Sequence, residues 1–212
     1  MVQSNIYIKK RSGRTRRCLR AVCKRGADIL FALVGLLFCF PLFCLIALGI
    51  RLTSRGPILF RQVRMGRGLT PFLLYKFRTM ACTAPHDAPT AAICSCAYIT
   101  RFGAFLRKTS LDELPQLYNI LRGDMSIIGP RPVVLTECEL ITRRADAGVY
   151  RVRPGLSGLA QVLGRDLLND PEKTSLDRLY VRHQSLFFDL RLILLSLSVA
   201  LRGHGIREGT GG

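Results

Sequence analysis

Hydrophobic positions divide the chain into one continuous apolar block and a longer region in which apolar and polar residues alternate at short intervals. Residues 29–50 carry no charge and are rich in Leu, Ile and Phe, about the roughly 20 residues a bilayer-spanning helix needs. Pro41, near the middle, removes a backbone donor and predicts a break there. Residues 1–25 are polar and basic, from Lys9, Lys10 and Arg11 to Lys24 and Arg25, with no acid, a composition that favours anionic lipid headgroups. Arg51, Arg55, Arg61, Arg64 and Arg67 make the far flank equally basic. Two basic flanks place both ends on the cytoplasmic side. The pattern therefore predicts a helix-break-helix hairpin that enters the inner leaflet and returns; a proline-kinked transmembrane helix is the alternative. A cleaved signal peptide fits poorly, since the run is too long and no small-residue cleavage site follows it.

From Gly56 the period shortens. Residues 57–64 and 70–78 flank a Met65-Gly66-Arg67-Gly68 turn and predict a β-hairpin, with Lys76 and Arg78 projecting to one face by parity. Residues 81–97 predict an irregular loop. Ile99, Phe102, Phe105 and Leu106 recur at helical intervals from about Tyr98. Pro115 suits the first position of a short helix reaching about Leu121 and stopping at Gly123, and it restricts Leu114 to extended geometry. A surface helix is predicted from Val133 to about Arg144. A glycine-rich turn at Arg153-Pro154-Gly155-Leu156-Ser157-Gly158 then leads into a strand. A helix between Glu172 and Gln184 carries Asp177, Tyr180 and a surface His183. In the last helix, Phe188 to Leu201, Asp189 and Arg191 leave an uncharged run of only about ten residues, too short to cross a bilayer, so it lies in the interface or against the protein.

The predicted class is α+β: a re-entrant membrane hairpin and a small, mostly helical cytoplasmic domain with a β-hairpin and interfacial amphipathic helices. The expected divisions are a basic segment (1–25), the membrane helix (26–55), the catalytic domain (56–202) and a loose glycine-rich tail (203–212).

A formal charge of +18 and a pI near 10.4 demand an acidic partner: nucleic acid, an anionic membrane surface or a phosphorylated substrate. A mean hydropathy of +0.23 alongside that charge requires apolar and basic residues to be segregated along the chain, as they are. No recognition helix or interleaved exposed aromatics support nucleic-acid binding. The cysteines form no disulfide framework, so reduced thiols in a cytoplasmic setting are expected. Cys82, His86, Asp87, Cys94 and Cys96 fit no common zinc spacing.

The candidate chemistry sits at Asp112-Glu113, two adjacent carboxylates in a cation-rich chain, preceded by Arg107-Lys108 and followed by Gly129-Pro130-Arg131-Pro132. Just outside a helix N-terminus, the pair lies where the backbone favours anions. Arg131 between two prolines is a preset ligand for a planar or bidentate anion. The bland reading of the same residues is a capping box with Ser110 as N-cap and Glu113 three residues on.

Taken together, Gly56-Pro57-Ile58-Leu59-Phe60-Arg61-Gln62, Tyr75-Lys76-Phe77-Arg78-Thr79-Met80, the stretch from Leu106 to Leu117, Ile128-Gly129-Pro130-Arg131-Pro132 and Arg153-Pro154-Gly155-Leu156-Ser157-Gly158-Leu159 closely resemble the bacterial sugar transferase family. These monotopic phosphoglycosyl transferases move a sugar phosphate from a nucleotide diphosphosugar to undecaprenyl phosphate. The resemblance implies a re-entrant helix broken at a proline, here Pro41, and a catalytic dyad matched by Asp112 and Glu113. It makes the aspartate the nucleophile that forms a covalent phosphosugar intermediate, with Mg²⁺ held at the same place. Lys76, Arg107 and Arg131 match positions associated with the diphosphate; Arg78 and Arg153, in the matching motifs, and Asp189, or less closely Asp177, as the match to an aspartate near the C-terminus, complete the expected substrate-binding set. The implied partners are a UDP-sugar, undecaprenyl phosphate and an anionic phospholipid membrane, at the cytoplasmic face of the bacterial inner membrane. The expected role is to initiate exopolysaccharide, capsule, O-antigen or glycoconjugate synthesis; a catalytically silent scaffold of the same family is the alternative. A homodimer stays open. The transmembrane bundle of larger relatives has no counterpart, so the chain resembles the short form. Two departures stand out: Cys96-Ala97-Tyr98 replaces an Asp-Pro-Arg-like stretch, and Ala160 stands where many relatives have a large aromatic, which leaves sugar preference open.

Overall fold

A computed structural model describes the backbone of residues 2–83, 98–164 and 167–202, and the side chains of residues 19–83, 98–164 and 167–199. The elements follow in the order α1 (Val2–Thr53), β1 (Leu59–Met65), β2 (Pro71–Phe77), α2 (Arg101–Lys108), α3 (Gln116–Arg122), β3 (Ser126–Ile128), α4 (Cys138–Asp146), β4 (Gly155–Ser157), α5 (Leu159–Leu163), α6 (Asp170–His183) and α7 (Leu186–Arg202). Helices joined to two small sheets give the expected α+β class. The imagined zinc cluster lies mostly outside the described residues, as does the tail. The described cysteines Cys23, Cys39, Cys44, Cys82 and Cys138 are free.

α1 is helical across the position of the expected break. Its 52 residues run through Pro41 without interruption and across the division expected near residue 25. Proline removes one hydrogen bond, the one to the Leu37 carbonyl, from a long ladder. Packing on both sides of it holds the helix together: Ala32 and Leu36 lie against Leu117 and Ile120 of α3, while Ile46 and Ile50 join Phe77 and Leu106. The Phe102 ring rests where a side chain on Gly49 would be, at 2.6 Å from an ideal Cβ, so any larger residue there would push the ring aside. The opposite face is apolar and exposed, with Leu37 at 75% and Phe38 at 78%. By length and composition α1 is apolar enough to cross a membrane over Leu19–Thr53.

The predicted hairpin forms: β1 and β2 are antiparallel, pairing Phe60 with Lys76 and Gln62 with Leu74. β3 and β4 are parallel and only three residues each. A Cβ on Gly155 would run into the Gly129 backbone, so the two strands meet only because glycines line the seam. A third apolar cluster, with Ile128, Leu159, Tyr180 and Leu192 buried, joins β3, α5, α6 and α7. α7 presents Leu192 inward and leaves Phe187, Leu190, Leu194 and Leu197 exposed, one face on the protein and one apolar face outward.

Candidate active site

Thr100 caps α2 by accepting the Gly103 N–H at 2.9 Å, and the helix ends on Arg107 and Lys108. The chain then turns sharply at Ser110, which takes a left-handed backbone conformation (φ 57°) that non-glycine residues rarely adopt. The Ser110 side chain makes no cap hydrogen bond, so the capping-box reading is not realised. Leu111–Glu113 form a 3-10 turn that runs on into α3. Leu114 is therefore helical (φ −53°, ψ −37°) and not extended as its proline neighbour predicted. It packs against the cluster of Phe77 and Leu106, which outweighs the local preference. α3 ends at Gly123 in the left-handed conformation (φ 96°), as the sequence suggested.

This turn delivers two carboxylates into different surroundings. Glu113 Oε1 accepts Lys76 Nζ at 2.7 Å and Arg131 Nη2 at 2.9 Å. Asp112 Oδ2 lies 3.9 Å from the same Lys76 ammonium, and its carboxylate accepts no hydrogen bond from the described residues. Arg107 donates Nε to Thr79 Oγ1 at 2.9 Å beside Asp112. Asp112 is buried, at 8% exposure. Burial and the neighbouring Glu113 charge raise its carboxyl above the ordinary range, against the pull of Lys76, Arg107 and Arg131. Burial acts the same way on Glu113, but Arg131 and Lys76 overcome it and hold that carboxyl well below the usual range. One acid is locked as an anion between two cations; the other is held less tightly, 3.9 Å from the shared ammonium.

The loop carrying Arg131 is fixed at almost every main-chain group. The Ile128 carbonyl accepts Tyr180 Oη at 2.9 Å and Lys24 Nζ at 3.2 Å. Gly129 N–H donates to Ser157 O and Gly155 N–H to Pro130 O, both at 2.9 Å. Arg144 Nη1 donates to Arg131 O at 2.7 Å and Arg64 Nη1 to Pro132 O at 3.2 Å, while the Met65 N–H reaches Val133 O at 2.9 Å. Arg144 is in turn paired with Asp177 at 2.6 Å, both side chains almost wholly buried.

Lys76, Arg107 and Arg131 thus join the dyad, while other predicted residues lie elsewhere. β2 ends at Phe77, and Arg78 turns away to hold Ser54 and Arg55 through their carbonyls at 2.9 and 2.8 Å, pinning the end of α1. Arg153 donates to Gly123 O at 2.8 Å, and burial together with Arg25 and Arg67 lowers its pKa. The two oxygens of Asp189 are taken by Lys24 at 2.7 Å and Tyr180 at 2.8 Å. Asp177 faces Arg144, and His183 is exposed as expected. The sequence reading missed Arg64 and Arg144. Arg64 shares a strand face with Lys76 once the hairpin register is known, so parity could have found it; burial and the nearby Arg131 lower its pKa to about 10. Nothing local marks Arg144.

The sequence profile of the bacterial sugar transferase family matches residues 19–203. The chain belongs to the bacterial sugar transferase family. Among its members, the UDP-glucose:undecaprenyl-phosphate glucose-1-phosphate transferase of Escherichia coli K12 is 39% identical over 181 residues, covering 82% of this chain and 39% of that protein. The UDP-N-acetylgalactosamine-undecaprenyl-phosphate N-acetylgalactosaminephosphotransferase of Aeromonas hydrophila is 38% identical, covering 88% and 45%. The exopolysaccharide production protein ExoY of Rhizobium meliloti is 36% identical, covering 95% of both chains. This bacterial sugar transferase therefore spans less than half of the first two relatives.

The dyad suits Mg²⁺, a hard ion that takes one or two protein carboxylates together with substrate phosphates and water. Asp112 offers a carboxylate without hydrogen-bonded partners among the described residues, and Glu113 lies next to it. Among those residues there is no cluster of three or more His, Cys, Asp or Glu that would make an all-protein cage.

Proposed function

We propose that this transferase moves a sugar 1-phosphate from a UDP-sugar to undecaprenyl phosphate through a covalent intermediate on Asp112. The observation that carries the reading is the unequal dyad: a Glu113 carboxylate clamped by Lys76 and Arg131 beside an Asp112 carboxylate that accepts no hydrogen bond from the described residues. An Asp112 oxygen bonds to the phosphorus that bears the sugar, and the bond from that phosphorus to the bridging oxygen breaks, releasing UMP. A phosphate oxygen of undecaprenyl phosphate then attacks the same phosphorus; its bond to Asp112 breaks, and the carboxylate is restored. Asp112 needs no base, because the ionised carboxylate is itself the nucleophile. Its weak point is repulsion from the diphosphate, which Lys76, Arg107 and Arg131 offset. Mg²⁺, held by Asp112 and Glu113, would supply further neutralisation of the diphosphate and the departing UMP. Glu113 holds Lys76 and Arg131 in place through its own two ion pairs.

The acceptor is a lipid, and we infer that α1 is a monotopic element in the cytoplasmic leaflet of the bacterial inner membrane. Both ends of its apolar run are tied to one folded unit, Lys24 to Asp189 and the Ser54 carbonyl to Arg78. In a straight helix these anchors stand about 45 Å apart, at ~1.5 Å per residue. A perpendicular crossing would carry Lys76, Glu113 and Arg131 into the hydrocarbon, where charges are expensive. Lying against the domain, α1 instead offers its exposed Leu37 and Phe38 face to acyl chains, with the exposed face of α7 near the interface and the basic flanks at anionic headgroups. Such an enzyme would start exopolysaccharide, capsule, O-antigen or glycoconjugate assembly.

Asp112→Asn tests the chemistry. Wild type incubated with undecaprenyl phosphate and a panel of UDP-sugars releases UMP and yields a sugar-phosphate adduct by intact mass. The variant gives neither, and full activity in it removes Asp112 from the reaction.

A further inference from the structure

Asn119, on α3, has no solvent exposure, and its side-chain amide is bonded to the backbone of β2 on both sides. Nδ2 donates to the Leu73 carbonyl at 2.7 Å, and Oδ1 accepts the Tyr75 N–H at 3.1 Å. The other Nδ2 hydrogen goes to Asp124 Oδ2 at 3.2 Å. β1 and β2 form a two-stranded sheet, so this amide stands where a third strand would pair, presenting the donor and acceptor of one peptide group. The Asn119 carbonyl also receives the N–H groups of Gly123, Asp124 and Met125, at 3.1 to 3.3 Å. The residue is therefore held from the helix side as firmly as from the strand side.

The two segments tied by this amide carry the two halves of the site. Lys76 follows Tyr75 directly, and the dyad turn runs without a break into α3. Leu74, Leu117 and Ile120 already hold β2 and α3 face to face. Apolar contact is non-directional, however, and does not fix how far a strand slides along its own axis. Paired hydrogen bonds do. We propose that Asn119 is a positioning residue for Lys76: it fixes β2 against α3 so that the ammonium lies 2.7 Å from Glu113 Oε1 and 3.9 Å from Asp112 Oδ2. Asn119 touches neither substrate nor reacting atoms. The role rests on the reading of Lys76 as part of a phosphate-transfer centre.

The experiment is a double-mutant cycle on the full chain in detergent, reading UMP release with a UDP-sugar that wild type accepts. Asn119→Asp keeps size and shape but loses the donors to Leu73 and Asp124. It is expected to lower kcat on the order of tenfold to a hundredfold, the scale of a sub-ångström to ångström misplacement, and to cost less than about twofold when added to Lys76→Met. An equal fractional loss in both backgrounds, or no loss in either, overturns the proposal. Asn119→Ser, short enough to leave room for a water, is the second variant, and failure of both to fold makes Asn119 a residue of the fold alone and also overturns it. Hydrogen exchange gives a readout independent of turnover: the Tyr75 amide should lose protection in Asn119→Ser, and unchanged protection removes the tie. A wild type that releases no UMP from any UDP-sugar sinks the reaction reading, while exchange at Tyr75 still reports on the amide.

Discussion

Removing the Lys76 charge should move the acid limb of the reaction to higher pH. Asp112 must be ionised to attack, so activity is present above its pKa and lost as pH falls through it. Burial and Glu113 already raise that pKa, and Lys76 is the strongest of the cations that oppose them. At 3.9 Å, the attraction between Lys76 and an ionised Asp112 is about 4 kcal/mol at an effective dielectric constant of 20 and about 1 kcal/mol at the water value. At ~1.36 kcal/mol per unit, these correspond to roughly three and one pH units. The lower figure is the better expectation, because both side chains keep some contact with solvent, which screens the pair. The assay is the pH dependence of kcat/KM for UMP release in wild type, Lys76→Met and Lys76→Arg. Lys76→Met should shift the acid midpoint upward by about one unit, whatever it costs in absolute rate, while Lys76→Arg, which keeps the charge, should leave it nearly in place. A midpoint that stays put or moves to lower pH in Lys76→Met refutes the electrostatic account of the dyad.

Three further outcomes follow from other parts of the molecule. Arg144→Met leaves Asp177 buried without its partner and frees the Arg131 carbonyl; a loss of about 3–5 kcal/mol and a Tm lower by on the order of 10 °C are expected, against near-neutrality for a combined Arg144→Met and Asp177→Leu, by calorimetry in detergent. Burial raises the Asp177 carboxyl to about 6 even beside Arg144. The folded chain therefore binds a proton between about pH 4 and 6 that the unfolded chain does not, and this contribution to stability fades as pH rises through about 6. Asp177→Asn should flatten that slope in Tm measured from pH 4.5 to 7. Finally, Cys23 and Cys82 are exposed near opposite ends of the α1 apolar run. In single-cysteine variants both should react with an impermeant maleimide from the cytoplasmic side of the membrane only; labelling of the two from opposite sides would make α1 a transmembrane span.

Local pattern was enough for the hairpin, the short helix ending at Gly123 and the company kept by Asp112 and Glu113, because each depends on parity, backbone freedom or spacing within a few residues. The failures share a different cause. Leu114 follows the packing of its side chain with Phe77 and Leu106 over the steric preference set by Pro115. Pro41 fails to end α1 because contacts on both sides of it hold the helix. Asp112 is a charged residue beside a basic pair and gives no local sign of burial; its neighbours Leu111 and Leu114 pack into a cluster with Phe77 and Leu106 that also draws in Ile46 and Ile50 from α1, and that gathering is not legible locally. A long side chain such as Arg78 has a parity on the strand, but its guanidinium can reach several carbonyls, and only the path of the chain decides which.

That last point changes what the charge of +18 means. A strongly basic chain suggested cations aimed at phosphate. Yet Lys24, Arg25, Arg64, Arg78, Arg144 and Arg153 all donate to main-chain carbonyls, those of Ile128, Ile120 and Leu121, Pro132, Ser54 and Arg55, Arg131, and Gly123. A fold whose second sheet has strands of three residues leaves many carbonyls without a ladder partner. Arginine, with five N–H donors on a long stem, is well suited to reach them. Clustering around the dyad then falls to Lys76, Arg107 and Arg131, and the two groups should respond differently to neutralisation. Arg153→Gln, which weakens the end of α3, should act mainly on thermal stability. Arg131→Gln, whose native side chain is 44% exposed beside Glu113, should act mainly on kcat/KM, so comparing both variants in both assays separates the cations that build the loop from those that face the substrate.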